Sequence, residues 1–247
     1  VNPLSLKNSL SGIGKIALAA SLATLPLTGC KDDTPRPEAI AAAPAPRAGN
    51  PPAARMVSAA SDGDTRPTLV CFGDSLTAGY GADPGAAYPD DLQKLLDAKG
   101  FHYRVVNSGV SGNTTKDGVE RLPRVVAHHP QIVVVEFGGN DGLRGLPIEQ
   151  TEANLSEIIA TLQKSGATVA LAGITLPPDY GKDYIARFDA MYTRLARQYH
   201  VRLLPFLLQN VYGVPGDMQE DATHATNKGN QQVALNVEGL VQPLLRK

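Results

Sequence analysis

Tryptophan is absent from this 247-residue chain, and aromatic residues make up only 5% of it. That scarcity argues against a carbohydrate platform built from stacked aromatic rings. Charge of one sign is equally lacking: the formal net charge is -1, whereas nucleic-acid binding rewards clustered positive charge, so no nucleic-acid partner is expected. Cysteine occurs twice, at Cys30 and Cys71. A disulfide between them is not expected, because Cys71 falls inside an apolar β-type run and Cys30 precedes a Pro/Ala-rich stretch. Cys71 reads instead as a small buried apolar residue. Long apolar runs are missing too. The longest, Ile16 to Leu27, has about twelve residues, too short to span a bilayer as a helix. What the chain does have is 43% hydrophobic residues, enough for one sizeable core.

Three segments of different composition follow one another. Residues 1–29 carry Lys7 and Lys15 ahead of the short apolar run, the pattern of an export signal. The run ends in Leu27-Thr28-Gly29-Cys30, which resembles a bacterial lipobox. That resemblance implies lipidation of Cys30, hence attachment to a membrane in the cell envelope or periplasm without a spanning helix. Residues 30–66 are rich in proline and alanine and show no apolar periodicity, so they read as a flexible tether. Residues 67–247 alternate between strand and helix patterns and form the expected folded domain.

Within that domain, strands are predicted at residues 68–72, 103–107, 132–137, 168–173 and 202–205. The third, Ile132-Val133-Val134-Val135-Glu136-Phe137, is an almost unbroken apolar run, as expected of a strand covered on both faces. Pro89 can open a helix that puts Leu92, Leu95 and Leu96 on one side. Residues 149–165 and 183–199 have helical apolar spacing, and a last helix aligns Val233, Val237, Leu240, Val241 and Leu244. Alternation of this kind implies α/β architecture. The expected form is a flavodoxin-like three-layer sandwich, with a five-stranded parallel sheet in the order 2-1-3-4-5 and helices on both faces.

Four short blocks fall just after predicted strands or in the last loop, where open α/β sheets hold their ligands. They are Gly73-Asp74-Ser75-Leu76, Asn107 to Thr114, Gly138-Gly139-Asn140-Asp141 and Asp221-Ala222-Thr223-His224. Serine, histidine and aspartate together suggest acyl transfer. A serine hydroxyl is a poor nucleophile until a base takes its proton. Among the five histidines, His224 has a carboxylate placed to orient it: Asp221, three residues earlier, can hold Nδ1–H and leave Nε2 for Ser75. His102, His128, His129 and His200 lack that context. The adjacent pair His128–His129 has no accompanying metal motif and reads as surface or cap. Gly79-Tyr80-Gly81 with Gly85 mimics a dinucleotide fingerprint, but its third glycine is misplaced. The lipase elbow G-x-S-x-G is absent around Ser75, so an α/β-hydrolase fold is not implied.

Taken in order, the four blocks resemble those of the SGNH/GDSL hydrolase superfamily. More narrowly, Gly138 to Gly145, Leu176-Pro177-Pro178-Asp179-Tyr180-Gly181 and Leu203-Leu204-Pro205-Phe206 are similar to the bacterial acyl-CoA thioesterase/lysophospholipase/arylesterase group. The resemblance implies a serine esterase or thioesterase working through an acyl-serine, with Ser75, Asp221 and His224 catalytic and no cofactor or metal. It implies an oxyanion hole made by the backbone N–H of Ser75, the backbone N–H of Gly112 and the amide of Asn140. It also implies an acyl groove lined by Gly142, Leu143, Arg144, Gly145, Leu146 and Pro147, then Leu176, Pro177 and Tyr180. The expected partners are a small acyl ester or thioester, lysophospholipids included, and a membrane reached through Cys30; the chain is expected to be a monomer. A carbohydrate O-deacetylase of the same superfamily and a non-catalytic tethered lipoprotein are the alternatives. One departure stands out: the family's last block usually reads Asp-Gly-x-His-Pro, and here Ala222 and Ala225 replace the glycine and proline.

Overall fold

The computed structural model describes residues 63–247. The export-signal pattern, Cys30 and nearly all of the tether lie outside the described residues. Among the described residues, no helix is long and apolar enough to cross a membrane.

Five strands form one parallel sheet: β1 (Thr68–Gly73), β2 (Arg104–Gly109), β3 (Ile132–Glu136), β4 (Thr168–Ala172) and β5 (Arg202–Leu204). Their spatial order is β2-β1-β3-β4-β5, as expected from the alternation. β1 and β3 are central, and every residue of each is buried. The apolar side chains of Ile132 to Val135 each contribute about 1.5–3 kcal/mol by leaving water. Cys71 is among the buried residues and carries no disulfide. Burial pushes its thiol up to about 12, which leaves it inert near neutral pH.

Helices cover both faces. α2 (Tyr88–Ala98) packs with α7 (Asn227–Val241) on one, while α3 (Thr115–Val126), α5 (Ile148–Lys164) and α6 (Lys182–Tyr199) line the other. Two short helices, α1 (Ser75–Ala78) and α4 (Gly139–Leu143), follow β1 and β3 directly. The last predicted helix is shorter than its apolar spacing indicates. It ends at Val241, and Leu244 lies in a 3-10 turn, Gln242–Leu244, because Pro243 has no N–H to continue the ladder. α3 is weakly announced in the sequence, since Gly118 and Pro123 both read as breakers. Thr114 caps it reciprocally with Asp117, and Gly118 lets Ile158 and Phe137 approach, so tertiary contact outweighs poor propensity.

Two glycines bring the first two blocks together. A Cβ on Gly109, at the end of β2, would sit 2.2 Å from the backbone nitrogen of Ala78. A Cβ on Gly73 would lie 2.4 Å from the Glu136 carboxylate. Only with hydrogen at both positions can α1 settle between β2 and β3, with the strand ends converging beneath it.

Candidate active site

Ser75 is the first residue of α1, immediately beyond the carboxyl end of β1. Asp74 caps the helix: its Oδ1 accepts the Leu76 N–H at 3.1 Å. The Ser75 N–H heads the first turn, where amides have no intrahelical acceptor. Its hydroxyl lies 2.8 Å from Nε2 of His224, across 149 residues of chain. On the other side of the imidazole, Nδ1 is 2.6 Å from Asp221 Oδ2. Burial acts to raise the Asp221 carboxyl. The hydrogen bonds from the His224 ring and from the N–H groups of His224 and Thr223 outweigh it and hold the group below the usual carboxylate range. Asp221 therefore stands ionised, with the imidazole held in the tautomer that leaves Nε2 free to accept from a serine hydroxyl.

The loop carrying this pair is a small antiparallel clasp. Met218 bridges Ala225, Gln219 N–H donates to the His224 carbonyl at 2.8 Å, and Thr226 N–H donates to the Asp217 carbonyl at 2.9 Å. Gln219 Nε2 also donates to the Tyr80 carbonyl, tying the clasp to the turn after α1. The replacement of glycine by Ala222 has a visible consequence: Ala222 sits in the left-handed region, at φ 52°. A side chain there costs about 1–2 kcal/mol relative to right-handed backbone, and the clasp absorbs it. Ala225, in the usual proline position, is buried and uses its carbonyl to accept from Gln219.

Asn140 is the second residue of α4, and Gly138, at φ 119°, makes the turn that delivers it. A side chain on Gly138 would collide with the Tyr192 hydroxyl, which donates to the Phe137 carbonyl. Asn140 Nδ2 donates to Asp74 Oδ2 at 3.1 Å and to the Asn113 carbonyl at 3.0 Å. It thereby joins the first, second and third blocks. Gly112 is exposed with φ 81°, and a Cβ there would meet only Arg144, 4.0 Å away; its glycine character answers to backbone conformation. Its carbonyl accepts from Arg144 Nη2 at 2.8 Å.

The groove residues divide into two groups. Leu143 and Leu146 are exposed, and Arg144, Gly145, Pro147 and Pro177 are exposed beside them. Gly142 and Leu176 are buried against each other and shape the floor rather than the surface. Tyr180 and Tyr184 donate to the carbonyls of Leu143 and Leu146, pinning this loop from the far side. A separate surface cavity of about 330 Å³ lies between Thr175, Asp189, Leu203 and Phe206, and none of the four blocks lines it.

Several residues at the site carry no signal in the sequence. Tyr80 is exposed, yet its ring centre lies 4.6 Å from that of His224. Arg121, on α3, donates to the Gly73 carbonyl, to Asn113 Oδ1 and to the Ser108 carbonyl, stitching the first two blocks together from below. Burial, then the nearby Arg124, lowers its guanidinium to about 10. Glu136 is fully buried at the end of β3. Its Oε2 accepts from the Asp74 N–H at 3.3 Å and from the Thr77 hydroxyl at 2.9 Å. A polar residue ending an apolar run was the available hint, but nothing local says what it faces.

His128 and His129 stay apart from the site. His129 takes φ 47° in the turn after α3, and its N–H donates to the Val126 carbonyl. Among the described residues, no group of three or more His, Cys, Asp or Glu side chains is arranged to hold a metal ion.

Residues 71–232 match the GDSL-like lipase/acylhydrolase family. The chain is 42% identical to esterase TesA of Pseudomonas aeruginosa over 179 residues, covering 72% of this chain and 89% of that one. It is 40% identical to thioesterase 1/protease 1/lysophospholipase L1 of Escherichia coli K12, covering 72% and 85%. A crystal structure of TesA superimposes with a TM-score of 0.70 at 42% identity, over 72% of this chain and 99% of that one.

Proposed function

The chain belongs to the GDSL-like lipase/acylhydrolase family, and from that membership we propose that it is a serine esterase and thioesterase in which Ser75, His224 and Asp221 carry the reaction. The observation that carries the assignment of residues is the 2.8 Å approach of His224 Nε2 to the Ser75 hydroxyl, with Asp221 at the opposite ring nitrogen.

Ser75 Oγ attacks the acyl carbonyl while His224 Nε2 takes its proton. Asp221 stabilises the imidazolium without taking the proton itself. Negative charge grows on the carbonyl oxygen, and the N–H groups of Ser75 and Gly112 and the Asn140 amide receive it. Collapse returns the proton to the departing alcohol or thiol and leaves an acyl-serine. Water, activated by the same imidazole, then releases the acid. Every proton moves between Ser75, His224, the leaving group and water, so these steps are complete with the side chains named.

The substrates we infer are short-to-medium acyl esters, aryl esters and thioesters, with lysophospholipids within range. The exposed Leu143 and Leu146 offer apolar surface to an acyl chain, and the names of the two relatives, esterase and thioesterase/lysophospholipase, point the same way. A p-nitrophenyl ester series from acetyl to decanoyl tests this on the full-length protein. Turnover is expected to continue past butyryl; turnover of acetyl alone would replace the proposal with an O-deacetylase. Fluorophosphonate should label the wild type and not Ser75→Ala, and absence of labelling would mark a non-catalytic protein.

We further propose that residues 1–29 direct export and that Cys30 becomes lipidated, on the strength of the sequence pattern alone. Mass spectrometry of the membrane fraction is expected to find an acylated Cys30 as the first residue. An intact chain with an unmodified Cys30 would overturn this.

A further inference from the structure

Beneath the nucleophile lie two carboxyls that the mechanism above does not use. Asp74 is 2% exposed and Glu136 is fully buried. The two carboxyls adjoin: Glu136 Oε2 accepts from the Asp74 N–H and the Thr77 hydroxyl, and each carboxyl perturbs the other. Thr77 in turn contacts the Tyr88 hydroxyl at 3.2 Å. The second Glu136 oxygen, Oε1, has no donor within reach. The groups coupled electrostatically to the pair are Tyr88 of α2, Tyr192 of α6 and, on Asp74, His224; neither tyrosine carries positive charge. Two touching carboxyls cannot both be ionised in such a place, so the pair holds one proton between them.

The hydrogen bonds decide where that proton sits. Asp74 accepts from the Leu76 N–H through Oδ1 and from the Asn140 amide through Oδ2, the pattern of an ionised acceptor. Glu136 is deeper and has the spare oxygen. Burial, then the charge of Asp74, pushes Glu136 well above the ordinary carboxylate range, whereas Asp74 rises only to about 6.

We propose that Glu136 is a positioning residue for hydrolysis: it stands neutral under the nucleophile turn, donates its proton to Asp74, and so keeps Asp74 an acceptor that aims the Asn140 amide and holds the head of α1. This rests on the reading of Ser75 and Asn140 given above. The chain of contact runs from β3 through the Asp74 turn to α4, linking the first block to the third. It also accounts for Gly73, whose missing Cβ is the space the Glu136 carboxyl occupies.

The test uses full-length protein, p-nitrophenyl butyrate, and kcat per active site counted by fluorophosphonate titration. Glu136→Gln presents the same acceptor and replaces the proton by an amide N–H; kcat within about threefold of wild type is expected. Glu136→Leu removes both, and kcat is expected to fall about tenfold or more with KM nearly constant, because the loss is felt in the transition state. Placed in an Asn140→Ala background, the same leucine should cost less than about threefold, since the group it positions is gone. A purely packing role would predict the full loss in both backgrounds. Should the leucine variant fail to fold, Asp74→Asn serves, as its amide would oppose that of Asn140: kcat about tenfold lower is expected with labelling of Ser75 preserved. Wild-type kcat in Glu136→Leu or in Asp74→Asn, a glutamine variant as poor as the leucine, or an undiminished leucine effect without Asn140 would each overturn the proposal. Failure of the underlying reading looks different: Ser75→Ala would then keep its turnover.

Discussion

Ser75→Ala is expected to lose about 10⁴-fold or more in kcat on p-nitrophenyl butyrate, a barrier increase of at least about 5 kcal/mol. In the proposed mechanism the hydroxyl forms the covalent intermediate, and alanine leaves only water, which His224 would have to activate in a site shaped for serine. Folding should be unaffected, since the Ser75 side chain is half-buried and its one described partner is the His224 ring. His224→Ala should be similarly inactive, and combining the two should cost little beyond either alone, because the pair works as a unit. Steady-state kinetics on the three variants, with circular dichroism to verify folding, checks this. A Ser75→Ala protein retaining more than about 1% of wild-type turnover would remove serine from the nucleophile's role, given the size of loss such variants show.

Asn140→Ala is expected to reduce kcat by about 10²–10³-fold, equivalent to about 2.7–4 kcal/mol, with KM close to wild type. At rest the Asn140 amide is already engaged. Its two hydrogens are given to Asp74 and to the Asn113 carbonyl. Those acceptors hold it at the mouth of the site without satisfying a substrate, and a carbonyl oxygen that gains negative charge competes for it far better than a neutral one. In the proposed mechanism the amide binds the transition state more strongly than the ground state, which is the condition for raising kcat. Catalytic hydrogen bonds of this kind commonly tighten only when substrate is bound. An alanine variant with raised KM and unchanged kcat would show that Asn140 merely helps substrate settle.

Much of the architecture could be read from the chain. Strands β1 and β3 are buried on both faces, so selection for burial left continuous apolar runs, and the strand bounds shift by only one or two residues. The Asp221–His224 pair was legible because three residues of one loop bring the two side chains together. Other parts were not. α3 is not legible in the sequence, because Gly118 and Pro123 are helix breakers and the contacts that favour it come from Phe137 and Ile158, remote in the chain. Glu136 looked like the polar end of a hydrophobic strand, and its partner Asp74 lies 62 residues away. Tyr80 looked like part of a glycine-rich turn, while its ring packs beside an imidazole 144 positions later in the chain, as the folding of the last loop dictates.

Alone, the linear order of residues determined the sheet, its strand order and the groups proposed to react, because periodic burial, right-handed crossovers and the chemistry of serine, histidine and aspartate are properties that short stretches carry within themselves. Only the folded molecule decided how those groups are held: that Asn140 rests on Asp74, that a buried glutamate lies under the nucleophile, that Arg121 gathers the ends of β1 and β2. These depend on distances between segments 48 to 149 residues apart, and such distances are set by how whole layers pack, not by any local preference.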